Sequence, residues 1–128
     1  MRVNVTIRTK HQNDPMELVN YKGEYIETED SYMISYIESL YDNLITVDKT
    51  TDTVVVERQG TVISSPYYSK LVFEKQKSHR CAIDVEGYHA FVEVDTINTL
   101  SEKTNTYFKI MLDYIINNDK TYVEIMVE

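Results

Sequence analysis

The chain has 128 residues, of which 42% are hydrophobic and 27% are charged, and its formal net charge is −8. This length is typical of a single domain with one core, and the acidic balance argues against nucleic acid or an anionic membrane as a partner, because both bind through basic patches. No apolar run is long enough to span a bilayer, and the first residues lack the apolar core of a signal peptide, so we expect a cytoplasmic protein that does not bind membranes.

Nearly the whole chain alternates apolar and polar residues with a period of two, as in Val3, Val5 and Ile7. Such alternation is typical of strands that bury one face, and turn-forming residues separate the segments. The predicted strands are residues 2–9, 16–28, 31–39, 43–49, 53–59, 68–75, 79–86, 89–97, 105–116 and 121–128. Short connections favour antiparallel pairing of consecutive strands, and a single sheet with one dry face must close on itself. We therefore predict one all-β domain over residues 1–128, a closed antiparallel meander β-barrel of about 8 to 10 strands.

The same alternation assigns two or three apolar side chains of each strand to the interior. The inward set is Val3, Val5, Ile7, Val19, Tyr21, Tyr25, Ile34, Tyr36, Ile45, Val47, Val54, Val56, Leu71, Phe73, Cys81, Ile83, Val85, Ala90, Val92, Val94, Phe108, Ile110, Leu112, Val123, Ile125 and Val127. Four apolar residues fall on the predicted outer face, namely Met33, Ile37, Tyr107 and Met111. Apolar side chains on an outer face indicate that something covers them, and a dimer contact and the connecting segment of residues 60–67 are both candidates.

Three segments resemble the YwiB-like proteins, a bacterial family of unknown function. They are residues 23–38, which contain the string Tyr-Met-Ile-Ser-Tyr, residues 54–60 with the pattern Val-x-Val-x-Arg-x-Gly, and the closing residues 122–128. The resemblance implies a closed antiparallel barrel similar to calycins, the group that includes lipocalins and cytosolic fatty-acid-binding proteins. It implies no activity, and the calycin similarity suggests a small apolar ligand by analogy alone. Residues 9–15 are too few for the helical lid of fatty-acid-binding proteins, so an entrance to a cavity would be built differently.

One acid–base pair is predicted at one end of the barrel. If Val54 and Val56 face inward, Arg58 does too, and Tyr36 and Glu38 reach the same end from a strand two removed. In one interpretation Arg58 closes the barrel, stacking on Tyr36 and pairing with Glu38, because buried charges need partners. In a second, Arg58 and the inward tyrosines bind the carboxylate of an acyl ligand in an otherwise apolar pocket. In a third, Arg58 lies at an exposed strand end. The candidate ligand-binding residues are Tyr21, Tyr25, Tyr36, Glu38 and Arg58.

The sequence contains no catalytic or metal-binding motif, and we expect no catalysis, no metal site and no cofactor. His79 and His89 flank a predicted hairpin but would lie roughly 17 Å apart at about 3.3 Å per residue, too far to share an ion. His89 is instead predicted to pair with Asp84 across the hairpin. His11 is expected in the first turn, and Cys81 is expected to be a buried thiol.

Two functional hypotheses remain open from the sequence. The first is a barrel that binds a small, largely apolar ligand inside, oriented by Arg58. The second is a structural or protein-interaction barrel that acts through its outer surface, for which a homodimer that uses the four outer apolar residues is one form. Its acidic charge and exposed tyrosines suit a protein partner, since Tyr is common at interfaces.

Overall fold

In a computed structural model that describes residues 1–128, the chain forms ten antiparallel strands. They are β1 (Arg2–His11), β2 (Glu17–Glu27), β3 (Ser31–Glu38), β4 (Tyr41–Asp48), β5 (Val54–Gly60), β6 (Tyr67–Phe73), β7 (Lys77–Val85), β8 (Tyr88–Lys103), β9 (Phe108–Ile116) and β10 (Asp119–Val127). Each strand pairs with the next, and β1 pairs with β10 from Val5 opposite Val127 to His11 opposite Thr121. The predicted all-β, closed antiparallel meander barrel is therefore confirmed. No helix is long and apolar enough to span a lipid bilayer.

The strand β8 differs most from its predicted bounds, because it continues to Lys103 where the pattern predicted an end at residue 97. A register shift between Thr96 and Asn98 inserts one residue into this strand. The shift leaves both Thr96 and Thr99 buried, although they are three residues apart. A bulge of this kind reverses the phase of the alternation, so the sequence pattern breaks while the strand continues.

The interior of the barrel has a filled half and a hollow half. The most completely buried side chains of the filled half include Ile34, Val47, Val54 and Ile110, each at most 1% exposed. The hollow half lies at the other end, which we call the open end, where β1, β3, β5, β7 and β9 terminate. Three residues that were predicted to face inward, Val19, Val85 and Ala90, are exposed at this end, and Val19 lines the cavity there.

The opposite end of the barrel is closed by aromatic rings under an ionic contact. Tyr32 packs on Phe108 with ring centroids 4.5 Å apart. Glu27 accepts hydrogen bonds from Lys103 and, at 2.8 Å, from Lys49, and both ammonium groups lie over the Tyr32 ring. The hydrogen bonds from Lys103 and Lys49 lower the pKa of Glu27 to about 2. Residues from β2, β3, β8 and β9, and Lys49 directly after β4, thus meet over this end.

The four outer apolar residues lie in two separate places. One place is on β3, with Met33 and Ile37, and the other is at β9, with Met111 and with Tyr107 directly before the strand. Three strands, β2, β1 and β10, lie between β3 and β9. Ile37 is 66% exposed, whereas the other three are half-buried. Four strand spacings correspond to about 19 Å along the barrel wall.

Candidate functional site

The hollow half of the barrel is a cavity of about 370 Å³ that opens at the open end. Twenty residues line it, of which 13 are hydrophobic. The apolar lining near the filled core includes Ile45, Phe73, Leu112 and Ile125, and we call these residues the floor. This volume is at the lower end of the range for small-molecule sites, which are typically apolar with a few polar groups.

Several polar groups form a cluster near the mouth of the cavity. Arg58 Nη2 lies 2.8 Å from Glu38 Oε1, and the hydroxyl of Tyr21 donates to Glu38 Oε2 at 2.9 Å. The rings of Tyr21 and Tyr36 are stacked with centroids 4.8 Å apart. The guanidinium of Arg58 lies 4.1 Å from the centroid of the Tyr41 ring. We call Tyr21, Tyr36, Glu38, Tyr41 and Arg58 the mouth cluster.

Hydrogen-bond donors exceed acceptors at the mouth cluster. The Glu38 carboxylate already serves both Arg58 and Tyr21. Arg58 Nε and Nδ2 of Asn43, which lies directly opposite Arg58 on β4, are buried and have no acceptor. A guanidinium carries five N–H donors, so one contact with Glu38 leaves most of them unused. Since unsatisfied buried donors are costly, the cluster favours a group that brings an acceptor.

Three phenols of the cavity, those of Tyr21, Tyr36 and Tyr114, stay neutral at physiological pH. Burial, followed by the hydrogen bond to Glu38, raises the pKa of Tyr21 above its usual value. Burial and then the nearby Glu38 charge raise the pKa of Tyr36, and burial raises that of Tyr114. These side chains therefore act as neutral hydroxyl groups, and the charges of the mouth cluster belong to Arg58 and Glu38.

The structure brings together four of the five predicted site residues and separates Tyr25 from them. The ring of Tyr25 packs on Tyr32 and Phe108 at the closed end, with centroids 6.4 and 5.9 Å away. Tyr21 and Tyr25 share a face of β2, but four residues of strand correspond to about 13 Å. Tyr25 therefore belongs to the filled core, at a different depth from Arg58.

The predicted pairing of Arg58 with Glu38 is present, but the predicted stacking on Tyr36 is wrong. Arg58 stacks on Tyr41, which the sequence pattern left outside the fourth strand. The connection before Tyr41 is a tight turn in which Ser39 has a φ of 52°. The residue type of Ser39 gives little signal of that conformation, so the start of β4 was placed too late.

Other polar residues of the cavity were also missed by the sequence reasoning. Asn43 and Ser69 are buried in the wall beside Arg58, in phase with apolar residues of their own strands. The alternation of these two polar residues with the inward apolar residues of their strands was the sequence signal that could have identified them. His11 was expected in a turn, but it is the last residue of β1 and lines the mouth with Glu17. Its Nδ1 lies 2.9 Å from the hydroxyl of Thr121.

The remaining histidines and the cysteine lie away from the cavity. His89 Nδ1 is 2.6 Å from Asp84 Oδ1, which confirms their predicted pairing. His79 contacts Glu74 instead, at 2.8 Å. Cys81 is 3% exposed, as predicted, and its sulfur accepts from the backbone N–H of Val72 at 3.3 Å.

These features define a class of protein, a closed ten-stranded antiparallel barrel with an internal cavity that opens at one end. The sequence profile of a domain of unknown function, DUF1934, matches residues 1–126, and the chain belongs to this family. The fold is similar to that in the crystal structure of the ywiB protein from Bacillus subtilis, with a TM-score of 0.79 and 16% identity over 99% of this chain and 90% of that one. The resemblance to YwiB-like proteins is therefore confirmed. No curated protein matches the sequence.

Proposed function

We propose that the barrel binds one small, largely apolar ligand in its cavity and holds it without chemical change. The observation that carries this proposal is that one cavity has both an apolar floor and, at its mouth, a cluster with unused hydrogen-bond donors. A ligand with an apolar tail and an oxygen-bearing head satisfies both parts at once. Its tail would lie on the floor and its head would meet Arg58.

The volume sets the size of such a ligand. At roughly 30 Å³ per non-hydrogen atom, the packing of a liquid, the cavity volume of about 370 Å³ corresponds to about a dozen atoms. A straight acyl chain of about ten carbons with its polar head has this size. Longer chains would have to extend through the mouth into solvent.

The dependence of affinity on chain length is a direct test. Each buried methylene contributes about 0.8 kcal/mol, which is about fourfold in affinity. For a homologous series of straight-chain acyl compounds measured by isothermal titration calorimetry, we expect Kd to fall about fourfold per added carbon until the cavity is full near ten carbons. A series with no binding, or with no limit of length, would contradict the proposal.

Two neighbouring residues of β2 provide a matched pair of variants for the entrance. Val19 lines the cavity mouth and is 41% exposed, whereas Leu18 lies on the outer face and is 56% exposed. Both positions have room for a larger side chain. Val19→Trp is expected to obstruct the mouth and weaken binding of the ten-carbon compound, and Leu18→Trp is expected to leave binding unchanged.

A carried ligand is also detectable directly. Native mass spectrometry of gently purified protein is expected to show an added mass that disappears after denaturing extraction. Its absence from wild-type protein, together with failure of the chain-length series, would reject the proposal.

The homodimer hypothesis stays a prediction with its own test. Met33→Lys with Met111→Lys would place charges at both outer apolar places without touching the cavity. A change of oligomeric state in light scattering would support a dimer.

A further inference from the structure

We infer that the head group accepted by the cavity is an uncharged acyl carbonyl, that of an amide or an ester, and not a free carboxylate. This inference rests on the proposed function and narrows its ligand class. It arises from the charges that the chain itself already provides at the mouth.

The charges of the mouth cluster balance each other before any ligand enters. Arg58 contributes one positive charge and Glu38, at 2.8 Å, contributes one negative charge. The other members are tyrosines, and the remaining ionisable residues at the mouth are Glu17, a second acid, and His11, whose Nδ1 already lies 3.6 Å from Asp119 Oδ2. A ligand carboxylate at Arg58 would therefore lie beside Glu38 as a second anion, and the cavity lining holds no lysine and no arginine other than Arg58 to balance it. Like charges at this distance repel each other, and partial burial strengthens the repulsion.

An uncharged carbonyl fits the same place without this penalty. Its oxygen accepts hydrogen bonds and adds no net charge, so the contact between Arg58 and Glu38 is preserved. The side chain of Arg58 is 35% exposed and lines the cavity, which leaves guanidinium N–H groups accessible to a ligand. A primary amide also supplies N–H donors, for which Glu17 at the mouth is an available acceptor. The donors and acceptors of the mouth thus match an amide or ester head better than a carboxylate.

The residue that rejects the carboxylate is Glu38. If its charge is removed while its shape is kept, Arg58 loses its built-in counter-ion and needs an anion from outside. Glu38→Gln is therefore expected to reverse the preference of the cavity from the neutral head to the charged one.

The experiment compares decanamide with decanoate by isothermal titration calorimetry at neutral pH and low salt. Wild-type protein is expected to bind decanamide at least about tenfold more tightly than decanoate, a ratio that corresponds to about 1.4 kcal/mol. Glu38→Gln is expected to bind decanoate more tightly than decanamide. Arg58→Met is expected to remove this reversal when combined with Glu38→Gln. Arg80→Met is the matched control, because Arg80 lies 4.1 Å from the Phe91 ring centroid and outside the cavity.

The outcomes separate this inference from the proposed function. If wild-type protein binds decanoate as tightly as decanamide or more so, the inference is wrong while the proposed function stands. If neither compound binds, the proposed function itself fails. The wild-type comparison needs no variant, so the inference can be overturned even if Glu38→Gln does not fold.

Discussion

The two halves of the barrel interior predict opposite responses to the same substitution at neighbouring inward positions of β5. Val54 is 1% exposed in the filled core, whereas Val56 is half-buried and lines the cavity. Val→Phe adds four carbon atoms at either position. The pair therefore compares an overpacked site with a site that has space.

The structure gives the direction and size of both effects. Overpacking a filled core costs about 1 to 3 kcal/mol. For 128 residues at about 2.1 cal/mol/K each, the unfolding entropy is about 0.27 kcal/mol/K, so Val54→Phe is expected to lower Tm by about 4 to 11 °C. Val56→Phe fills empty space with four carbons at about 0.8 kcal/mol each, which offsets any strain and leaves Tm unchanged or higher.

The same variants also affect the ligand differently. Four added carbons occupy the space of about four ligand carbons, so Val56→Phe is expected to shorten the best-bound chain from about ten carbons to about six. Thermal unfolding followed by circular dichroism measures the first effect, and the calorimetric chain-length series measures the second. Equal destabilisation by Val54→Phe and Val56→Phe would refute the division into a filled and a hollow half.

Three further predictions concern the frame around the cavity. Gly23→Ala is expected to destabilise the protein more than Gly87→Ala in urea unfolding. A Cβ at Gly23 would lie 2.5 Å from a backbone carbonyl oxygen of β3, whereas Gly87 has open space around it and is unfavourable for alanine only through its φ of 86°. The pKa of Glu27 is lowered from its ordinary 4.5 to about 2, so its contribution to stability is complete above about pH 4.5 and is lost as the pH falls towards about 2. Glu27→Gln is therefore expected to reduce the change of the urea unfolding midpoint with pH in that window, and an unchanged profile would contradict this. Cys81 is expected to react with a thiol reagent only at the rate of unfolding, since its side chain is buried, and fast labelling of native protein would show that the strands around it open.

The residues of the mouth cluster show how far the sequence leads. Glu38 and Arg58 were matched correctly because each lies in phase with buried neighbours, and phase on a strand decides the face. Depth along the barrel depends on distance along each strand and on the stagger between strands. Tyr25 was misplaced because phase was used without distance, and a count of residues from Tyr21 would have corrected it.

Other features had no sequence signal of comparable strength. The bulge after Thr96 depends on local backbone geometry. The stacking of Arg58 on Tyr41 depends on the tight turn before Tyr41. Whether an interior is filled or hollow depends on how side-chain volumes from ten strands add at each depth. Alternation is the same in both cases, so the presence of the cavity could be determined only from the structure.

The pairing of β1 with β10 imposes an order on folding. The first strand made is hydrogen-bonded to β2 on one side and to β10, the tenth, on the other. During synthesis one edge of β1 therefore stays unpaired until β10 has been made, whereas the free edge of each other strand waits only for the strand that follows it. Unpaired edges are templates for association with other chains, and contacts between distant parts of a chain form slowly. The closure that protects the finished barrel thus makes its incomplete chain the form most exposed to aggregation.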